Sequence, residues 1–274
     1  MSRVDTVIVG AGQAGLALSR ELSAAGVDHV LLERGRVAQR WRDRWPSLTL
    51  LTPNWMNRLP GDAPLDDPDG YLTRDALIGR LEAYAAAHRA PVQERTRVLD
   101  VRPGHRGGLL VSTDRGSWRA RHVVVATGAA DVPRLPAVAA GAPGSVHQLH
   151  AAGYTTPQAL PPGGVLVVGA GPTGQQLALE LRRAGREVVL AAGRHARMAR
   201  RHRGADAWTW LRRICELDRT IDEVCDPVAA RRAASLVLSG AEGGRDLDLG
   251  VLERAGVLLA GRLVGWDGAE ARFA

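Results

Sequence analysis

Two glycine-rich motifs of the same pattern constrain this chain more than any other feature. Gly10-Ala-Gly-Gln-Ala-Gly15 lies near the N-terminus, and Gly169-Ala-Gly-Pro-Thr-Gly174 lies past the middle. Glycine at these three positions permits a tight turn, lets backbone amides approach a phosphate, and lets a helix pack closely on a strand. One such motif predicts a nucleotide site, and two predict electron transfer between two nucleotides.

The first motif stands in the full context of a dinucleotide-binding βαβ unit. The apolar run Val4–Val9 predicts a buried parallel strand, and helix formers follow over 14–25, ending at Gly26. A second strand over 30–32 ends at Glu33, whose carboxylate can accept hydrogen bonds from ribose hydroxyls. The residues predicted to contact the first nucleotide here are Gly10, Gly12, Gln13, Ala14, Gly15, Glu33 and Arg34.

The second motif has the same context but a different residue at its ribose end. The turn Pro161-Pro-Gly-Gly164 predicts a domain boundary, giving nucleotide-binding domains over 1–160 and 161–274. A strand over 165–168, a helix over 175–184 and a strand over 187–191 follow, and Arg194 then stands where the first site has an acid. This exchange is expected when a 2′-phosphate replaces a hydroxyl, which favours NADPH over NADH. The residues predicted for this site are Gly169, Gly171, Pro172, Thr173, Gly174 and Arg194.

Three nearby arginines leave two interpretations open. In the first, they bind the 2′-phosphate directly or add a positive electrostatic field around it. In the second, they lie on a solvated face. The residues are Arg197, Arg200 and Arg201.

The stretch between the motifs predicts a small antiparallel meander. Its strands lie over 98–101, 109–113 and 117–120, and a buried strand over 121–126 then runs into the small-residue turn Ala126-Thr127-Gly128. The predicted fold class is therefore α/β, with two Rossmann-like dinucleotide-binding domains and a small antiparallel β-meander in the first.

Composition narrows the partners and the location. The net charge of +7 would suggest nucleic acid, but the excess arginines cluster over 182–213, beside the second motif, so no nucleic-acid partner is expected. No apolar run is long enough for a membrane span and no signal peptide is visible, which predicts a cytoplasmic protein with no membrane partner. Cys215 and Cys225 match neither a redox pair nor a zinc spacing, so no metal site is predicted. A homodimer is left open.

This order of elements resembles the two-dinucleotide-binding-domain flavoproteins, a resemblance that implies FAD at the first motif and NADPH at the second. In that family Val98 would meet the adenine, and Ala126, Thr127 and Gly128 would pass near the FAD. Disulfide reductases, NADPH-ferredoxin-type reductases and class B monooxygenases share the order. The first group needs a cysteine pair beside the flavin, and this chain has none in the usual positions.

Further segments resemble class B flavin monooxygenases. The stretch Arg40–Leu48, followed by Leu51-Thr-Pro53, is similar to their segment after the ribose-binding acid, which implies that Arg40 and Trp41 contact FAD. Gln148-Leu-His150 with Tyr154 resembles the end of their fingerprint, which implies a cofactor contact by His150. Segments similar to a bacterial branch of these enzymes are Arg200–Gly204, Trp208–Leu211 and Ser239–Leu249.

The resemblance implies a reaction and leaves alternatives. NADPH would reduce FAD, whose C4a-(hydro)peroxide would transfer oxygen from O₂ to a small-molecule substrate, with Thr52 and Asn54 as the candidate catalytic residues. An NADPH:acceptor flavin reductase without oxygen insertion and a noncatalytic nucleotide-binding subunit remain alternatives. The family's usual C-terminal FAD-domain segment is not recognisable after Gly250. An abbreviated FAD fold, completion by another chain and an omitted tail are all left open.

Overall fold

The structure is a computed structural model that describes residues 1–104, 107–129, 132–233 and 236–274. It divides into two compact units. The first unit comprises Met1–Ser47, Asn57–Asp66 and Thr73–Pro133, and the second comprises Leu48–Met56, Asp67–Leu72 and Arg134–Ala274. The chain therefore passes between the units several times before residue 134. The functional boundary after residue 160 stays a prediction.

The first unit is built on a six-stranded sheet. Its strand order is β3-β2-β1-β6-β5-β4, with parallel pairing from β3 to β6 and antiparallel pairing from β6 to β4. Val7 of β1 lies beside Val30 of β2 and Val123 of β6, so branched apolar side chains share one face and bury it. The strands are β1 (Ser2–Val9), β2 (His29–Leu32), β3 (Val92–Gln93), β4 (Val98–Pro103), β5 (Leu109–Thr113) and β6 (Gly116–Val125).

Three helices belong to the first unit: α1 (Gln13–Ala24), α2 (Gln39–Arg42) and α3 (Arg74–Ala87). Helix α1 begins after Gly12 and ends before Gly26, whose φ of +67° suits a glycine at a helix end. Helix α3 begins at Thr73, whose hydroxyl oxygen accepts a hydrogen bond from the Ala76 amide at 3.2 Å.

The second unit has a parallel sheet of three strands in the order β13-β8-β7. Its central strand β8 is nearly fully buried, as expected for an apolar strand flanked on both edges. The strands of this unit are β7 (Val165–Val168), β8 (Val188–Ala191), β9 (Ala196–Arg197), β10 (Arg201–His202), β11 (Ala205–Asp206), β12 (Leu236–Val237), β13 (Leu258–Ala260), β14 (Leu263–Asp267) and β15 (Glu270–Phe273). The helices are α4 (Pro172–Arg183), α5 (Ala207–Arg213), α6 (Pro227–Arg231), α7 (Ala241–Gly244) and α8 (Leu249–Arg254).

The predicted fold class is confirmed, and two predictions about its strands need correction. The strand predicted to be buried over 121–126 has Val124 and Val125 exposed. The strands predicted separately over 117–120 and 121–126 form one continuous strand, β6. The reason is that β6 pairs with β5 along one edge and with β1 along the other, so no turn separates its two halves. The C-terminal residues form an antiparallel hairpin, β14–β15.

Candidate functional site

The first glycine motif forms the turn between β1 and α1. Gly10 has a φ of +108°, and a Cβ there would lie 2.6 Å from the carbonyl oxygen of Ala126. A Cβ on Gly15 would overlap the carbonyl oxygen of Gly10. Both positions therefore require glycine for packing, as the motif predicts.

Gly12 differs because the space on its Cβ side is open. No atom lies within 4 Å of a Cβ built there, and no side chain caps the helix that begins after it. The first backbone amides of α1, beginning with Gln13 and Ala14, thus meet an open cradle at the positive end of a helix dipole, which suits the pyrophosphate of FAD.

Glu33 ends β2 beside this turn and is 8% exposed. Its carboxylate accepts hydrogen bonds from the Ala11 amide at 2.9 Å and from the Gly35 amide at 2.8 Å. These two bonds fix the carboxylate at the edge of the motif and leave lone pairs for ribose hydroxyls. Arg34 follows and is exposed.

Helix α2 brings part of the tryptophan-rich segment to the same turn. The Trp41 indole donates a hydrogen bond to the Gln13 side chain at 3.0 Å, so Trp41 lies against the first residue of α1. Arg40 forms an ion pair with Asp43 at 3.5 Å. Trp45 is buried.

Other predicted FAD residues lie at the ends of strands in the same unit. The Ala126 amide donates to the Val9 carbonyl at 2.8 Å, which sets Ala126 beside the glycine turn, and Gly128 has a φ of +78°. Thr127 is exposed between them. Val98 begins β4 and packs against the apolar core of the sheet, so any adenine contact by its side chain stays a prediction.

The candidate catalytic residues Thr52 and Asn54 belong to the second compact unit. Asn54 is buried, its side-chain amide donates to the Asp67 carbonyl at 2.8 Å, and its backbone amide donates to the Gly70 carbonyl. Among the residues described, none bonds to the buried side-chain oxygen of Asn54. The turn at 67–70 therefore holds Asn54 in place, and the catalytic roles of both residues stay predictions.

The second glycine motif repeats the geometry of the first. Gly169 has a φ of +110°, and a Cβ on Gly174 would overlap the Gly169 carbonyl oxygen. Gly171 has open space on its Cβ side and no side-chain cap, while Pro172 and Thr173 occupy the first helical turn of α4. The same cradle for a pyrophosphate is present, here in the second unit.

A cleft of about 800 Å³ lies beside the loop that follows β8, where the sequence predicts the ribose end of this motif. Its lining includes Arg194 and His195 after β8, together with Asp226 and Arg232 from either end of α6. Within the described ranges, neither the Arg194 nor the Arg232 guanidinium has a hydrogen bond or ion pair, although both line one cleft. Arg232 was missed in the sequence, where the pair Arg231-Arg232 is visible but the cleft that it faces is not.

The three additional arginines considered for the phosphate have other partners. Arg200 is 1% exposed and forms an ion pair with Asp206, so both sequence interpretations, a phosphate contact and a solvated face, are wrong for it. Arg197 pairs with Asp248 at 2.7 Å, and Arg201 donates to the Gly243 carbonyl at 3.4 Å. The local sequence could not reveal Asp248 and Gly243 as partners, because they lie 51 and 42 residues from Arg197 and Arg201.

His150 and Tyr154 have structural contacts in the second unit. The His150 ring nitrogen Nδ1 accepts a hydrogen bond from the Ala152 amide at 3.1 Å and caps a short 3₁₀ turn. Tyr154 is buried and donates to Glu180 of α4 at 3.0 Å. Burial and the neighbouring Glu180 carboxylate raise the pKa of the Tyr154 phenol above its usual value. A cofactor contact by His150 stays a prediction.

The described residues offer neither a metal centre nor a membrane-spanning helix. In the residues described, no group of three or more His, Cys, Asp or Glu side chains could hold a metal ion. No helix in the described ranges combines the length and the apolarity needed to cross a membrane.

Two glycine turns, each leading from a strand of a parallel sheet to a helix without a side-chain cap, are typical of a protein with two dinucleotide sites. Comparison with known proteins identifies the family. Residues 7–220 match the pyridine nucleotide-disulphide oxidoreductase family, and the chain belongs to it. Cys215 and Cys225 are free and exposed.

The relatives include flavin monooxygenases. An uncharacterized CzcO-like oxidoreductase of Geobacillus kaustophilus is 33% identical, over 86% of this chain and 70% of that protein. The indole-3-pyruvate monooxygenase YUCCA4 of Oryza sativa subsp. japonica is 32% identical, over 64% of this chain and 44% of that protein. A flavin-containing monooxygenase structure from Stenotrophomonas maltophilia has a TM-score of 0.67 at 25% identity, covering 97% of this chain and 80% of that one.

These similarities confirm the resemblance to class B flavin monooxygenases. At the level of the family, they also confirm an oxidoreductase that uses a flavin and a pyridine nucleotide.

Proposed function

We propose that this chain carries the FAD and NADPH sites of a flavoprotein monooxygenase acting on a small-molecule substrate. In this proposal residues 1–160 bind FAD and residues 161–274 bind NADPH. The observation that carries the coenzyme assignment is the cleft after β8, where Arg194 and Arg232 lie without a partner among the described residues. A 2′-phosphate supplies the anion that two such guanidinium groups would bind.

The acid that lines this cleft already has hydrogen-bond partners within the protein. The Asp226 carboxylate accepts hydrogen bonds from the Val228 amide at 3.0 Å and the Ala229 amide at 2.8 Å, so it caps α6. Glu33, by contrast, stands at the ribose end of the first motif, where a free hydroxyl is expected. The two sites therefore differ in the charge that they offer to a ribose.

The residues of the chain would bind and orient the two nucleotides. The open turns at Gly12 and Gly171 would hold the pyrophosphates, and Glu33 would hold the FAD ribose. When bound, FAD and NADPH supply the redox chemistry, with hydride passing from NADPH to FAD and electrons from FAD to O₂. We place no protein nucleophile in this reaction.

The coenzyme assignment predicts the effects of substituting the two arginines of the cleft. Arg194→Ala and Arg232→Ala should each raise the KM for NADPH about 10- to 100-fold, because each removes a charged hydrogen-bond partner of the phosphate. The KM for NADH should change little. Steady-state oxidation of both coenzymes by the FAD-loaded chain measures the preference.

Arg231→Ala is the matched control, because Arg231 is the exposed neighbour of Arg232 in sequence. It should leave both KM values unchanged. Equal use of NADPH and NADH by the unmodified chain would refute the assignment, as would equal effects of the Arg231 and Arg232 substitutions.

Incorporation of oxygen into a substrate separates the monooxygenase from its alternatives. The FAD-loaded chain is reduced anaerobically with NADPH and then mixed with O₂ in the presence of a panel of ketones, amines and sulfides. We expect incorporation of ¹⁸O from ¹⁸O₂ into one of these compounds. Reoxidation that yields only hydrogen peroxide, with fast electron transfer to quinones, indicates a reductase. A chain that binds nucleotides but does not oxidise NADPH indicates a binding subunit.

A further inference from the structure

Three segments that the nucleotide sites do not use come together in the second unit. They are Arg200–Gly204, Trp208–Leu211 and Ser239–Leu249, and each contacts the stretch 48–56 of the same unit. The first and the third also contact Tyr71 in the stretch 67–72. The contacts meet at the carbonyl oxygen of Leu51 and at the ring of Tyr71. We call Arg200, Asp206, Tyr71 and Trp208 the Leu51 anchor.

The Arg200 guanidinium is the centre of the Leu51 anchor. It donates to the Leu51 carbonyl at 2.6 Å and to the Tyr71 hydroxyl at 3.1 Å, and it pairs with Asp206 at 2.8 Å. It also lies over the Tyr71 ring, 4.4 Å from the ring centroid. Because Arg200 is only 1% exposed, these contacts replace the water that an arginine would otherwise bind.

The other members of the anchor hold Arg200 and the same carbonyl in place. The Tyr71 hydroxyl donates to Asp206 at 2.5 Å, and Asp206 also accepts a hydrogen bond from the Trp208 amide at 2.8 Å. The Trp208 indole donates a second hydrogen bond to the Leu51 carbonyl at 3.2 Å. Two donors from separate elements therefore fix one backbone oxygen.

Two glycines of the third segment, Gly240 and Gly244, pack directly against the stretches that hold Leu50 and Tyr71. A Cβ on Gly240 would overlap the Leu50 carbonyl oxygen and lie 2.7 Å from the Cβ of Tyr71. A Cβ on Gly244, where φ is +79°, would lie 2.5 Å from the Tyr71 hydroxyl oxygen. The absence of side chains at these two positions lets the loop close directly over Tyr71.

We propose that Arg200 is a positioning residue that sets the conformation of segment 48–56. The fixed carbonyl belongs to the residue before Thr52 and lies three residues before Asn54, so the anchor determines where both candidate catalytic side chains stand. This inference rests on the proposed function for its kinetic consequence, while the anchoring itself does not depend on any nucleotide.

The test combines hydrogen–deuterium exchange with anaerobic flavin reduction in Arg200→Lys. Lysine keeps a positive charge near Asp206, but its ammonium lacks the planar fork that reaches three acceptors at once. Exchange of the hydrogen-bonded amides of Leu50, Asn54 and Trp55 should rise about 10- to 100-fold. The rate of flavin reduction at saturating NADPH should fall about 10- to 100-fold.

Two further quantities separate positioning from general damage. The Kd for NADPH and the exchange of peptides from α1 should stay at their values in the unmodified chain. Arg201→Lys is the matched control, because Arg201 is the exposed neighbour and should change neither exchange nor rate. Unchanged exchange over 48–56 in Arg200→Lys would overturn the proposal, and so would a loss of NADPH affinity with the rate preserved.

A second variant covers the case in which Arg200→Lys does not fold. Trp208→Phe removes one hydrogen bond to the Leu51 carbonyl and keeps an aromatic ring. It should raise exchange over 48–56 about two- to tenfold. A folded Trp208→Phe chain with unchanged exchange would contradict the anchor. If the unmodified chain is not reduced by NADPH, the proposed function fails, whereas exchange still decides whether Arg200 positions the segment.

Discussion

At the scale of single residues, glycines of one motif are required for different reasons. A Cβ on Gly15 would overlap the Gly10 carbonyl oxygen, so Gly15 is fixed by packing within the protein. Gly12 has φ −87°, which any residue can adopt, and open space on its Cβ side. The fold therefore does not require its lack of a side chain, as expected of a motif glycine that faces a ligand.

This difference predicts that an alanine affects stability at Gly15 and FAD binding at Gly12. Gly15→Ala should lower the free energy of unfolding of the FAD-free chain by about 1 to 3 kcal/mol, because the added methyl group displaces backbone. Gly12→Ala should leave that stability nearly unchanged and weaken FAD binding. Urea denaturation and flavin titration measure the two effects. Equal destabilisation by both substitutions would show that Gly12 is also constrained by packing.

At the scale of secondary-structure elements, helix caps separate structural helices from candidate binding helices. Among the α-helices of at least five residues in the described ranges, four begin with a side-chain cap, from Thr73, Asp206, Asp226 and Asp248. Helices α1 and α4 begin at Gly12 and Gly171 without one. Their first amides are left to water or a ligand, which is the arrangement that binds phosphates.

One bond between elements predicts a pH dependence of stability. Tyr154 follows a 3₁₀ turn and donates to Glu180 of α4, and its pKa is raised by burial and by that carboxylate. The folded chain therefore holds the phenol proton more tightly than the unfolded chain. The resulting stability is complete below the unfolded pKa of about 10 and is lost as pH rises through the folded-state pKa.

Tyr154→Phe should remove this dependence. Near pH 8 the free energy of unfolding should fall by about 1 kcal/mol through loss of the hydrogen bond. Above pH 10 the variant should lose stability less steeply than the unmodified chain. Urea denaturation at a series of pH values from 8 to 11 provides the measurement, and parallel curves for the two proteins would contradict the assignment.

At the scale of the whole molecule, local features were predictable and distant contacts were not. The glycine turns and Glu33 follow from short-range pattern, because a strand, a turn and a helix are adjacent in sequence. The burial of Arg200 depends on Leu51 and Tyr71, which are far away along the chain, and the cleft position of Arg232 depends on α6. No local pattern records either partnership.

The two glycine turns lie in different units, so their nucleotides should be separable by substitution. Gly12→Asp and Gly171→Asp each add a carboxylate to open space at the start of a helix, where aspartate is a favourable cap and leaves the fold intact. The same carboxylate repels a pyrophosphate. We expect each variant to lose affinity for its own nucleotide about 100-fold or more.

The measurement pairs flavin content with thermal stabilisation. Gly12→Asp should purify without FAD yet still gain thermal stability on addition of NADP⁺, because the second turn is unaltered. Gly171→Asp should keep FAD and lose the stabilisation by NADP⁺. Circular dichroism confirms that both variants are folded. Loss of both nucleotides in either folded variant would mean that the two turns do not bind independently, and would refute the assignment of one nucleotide to each.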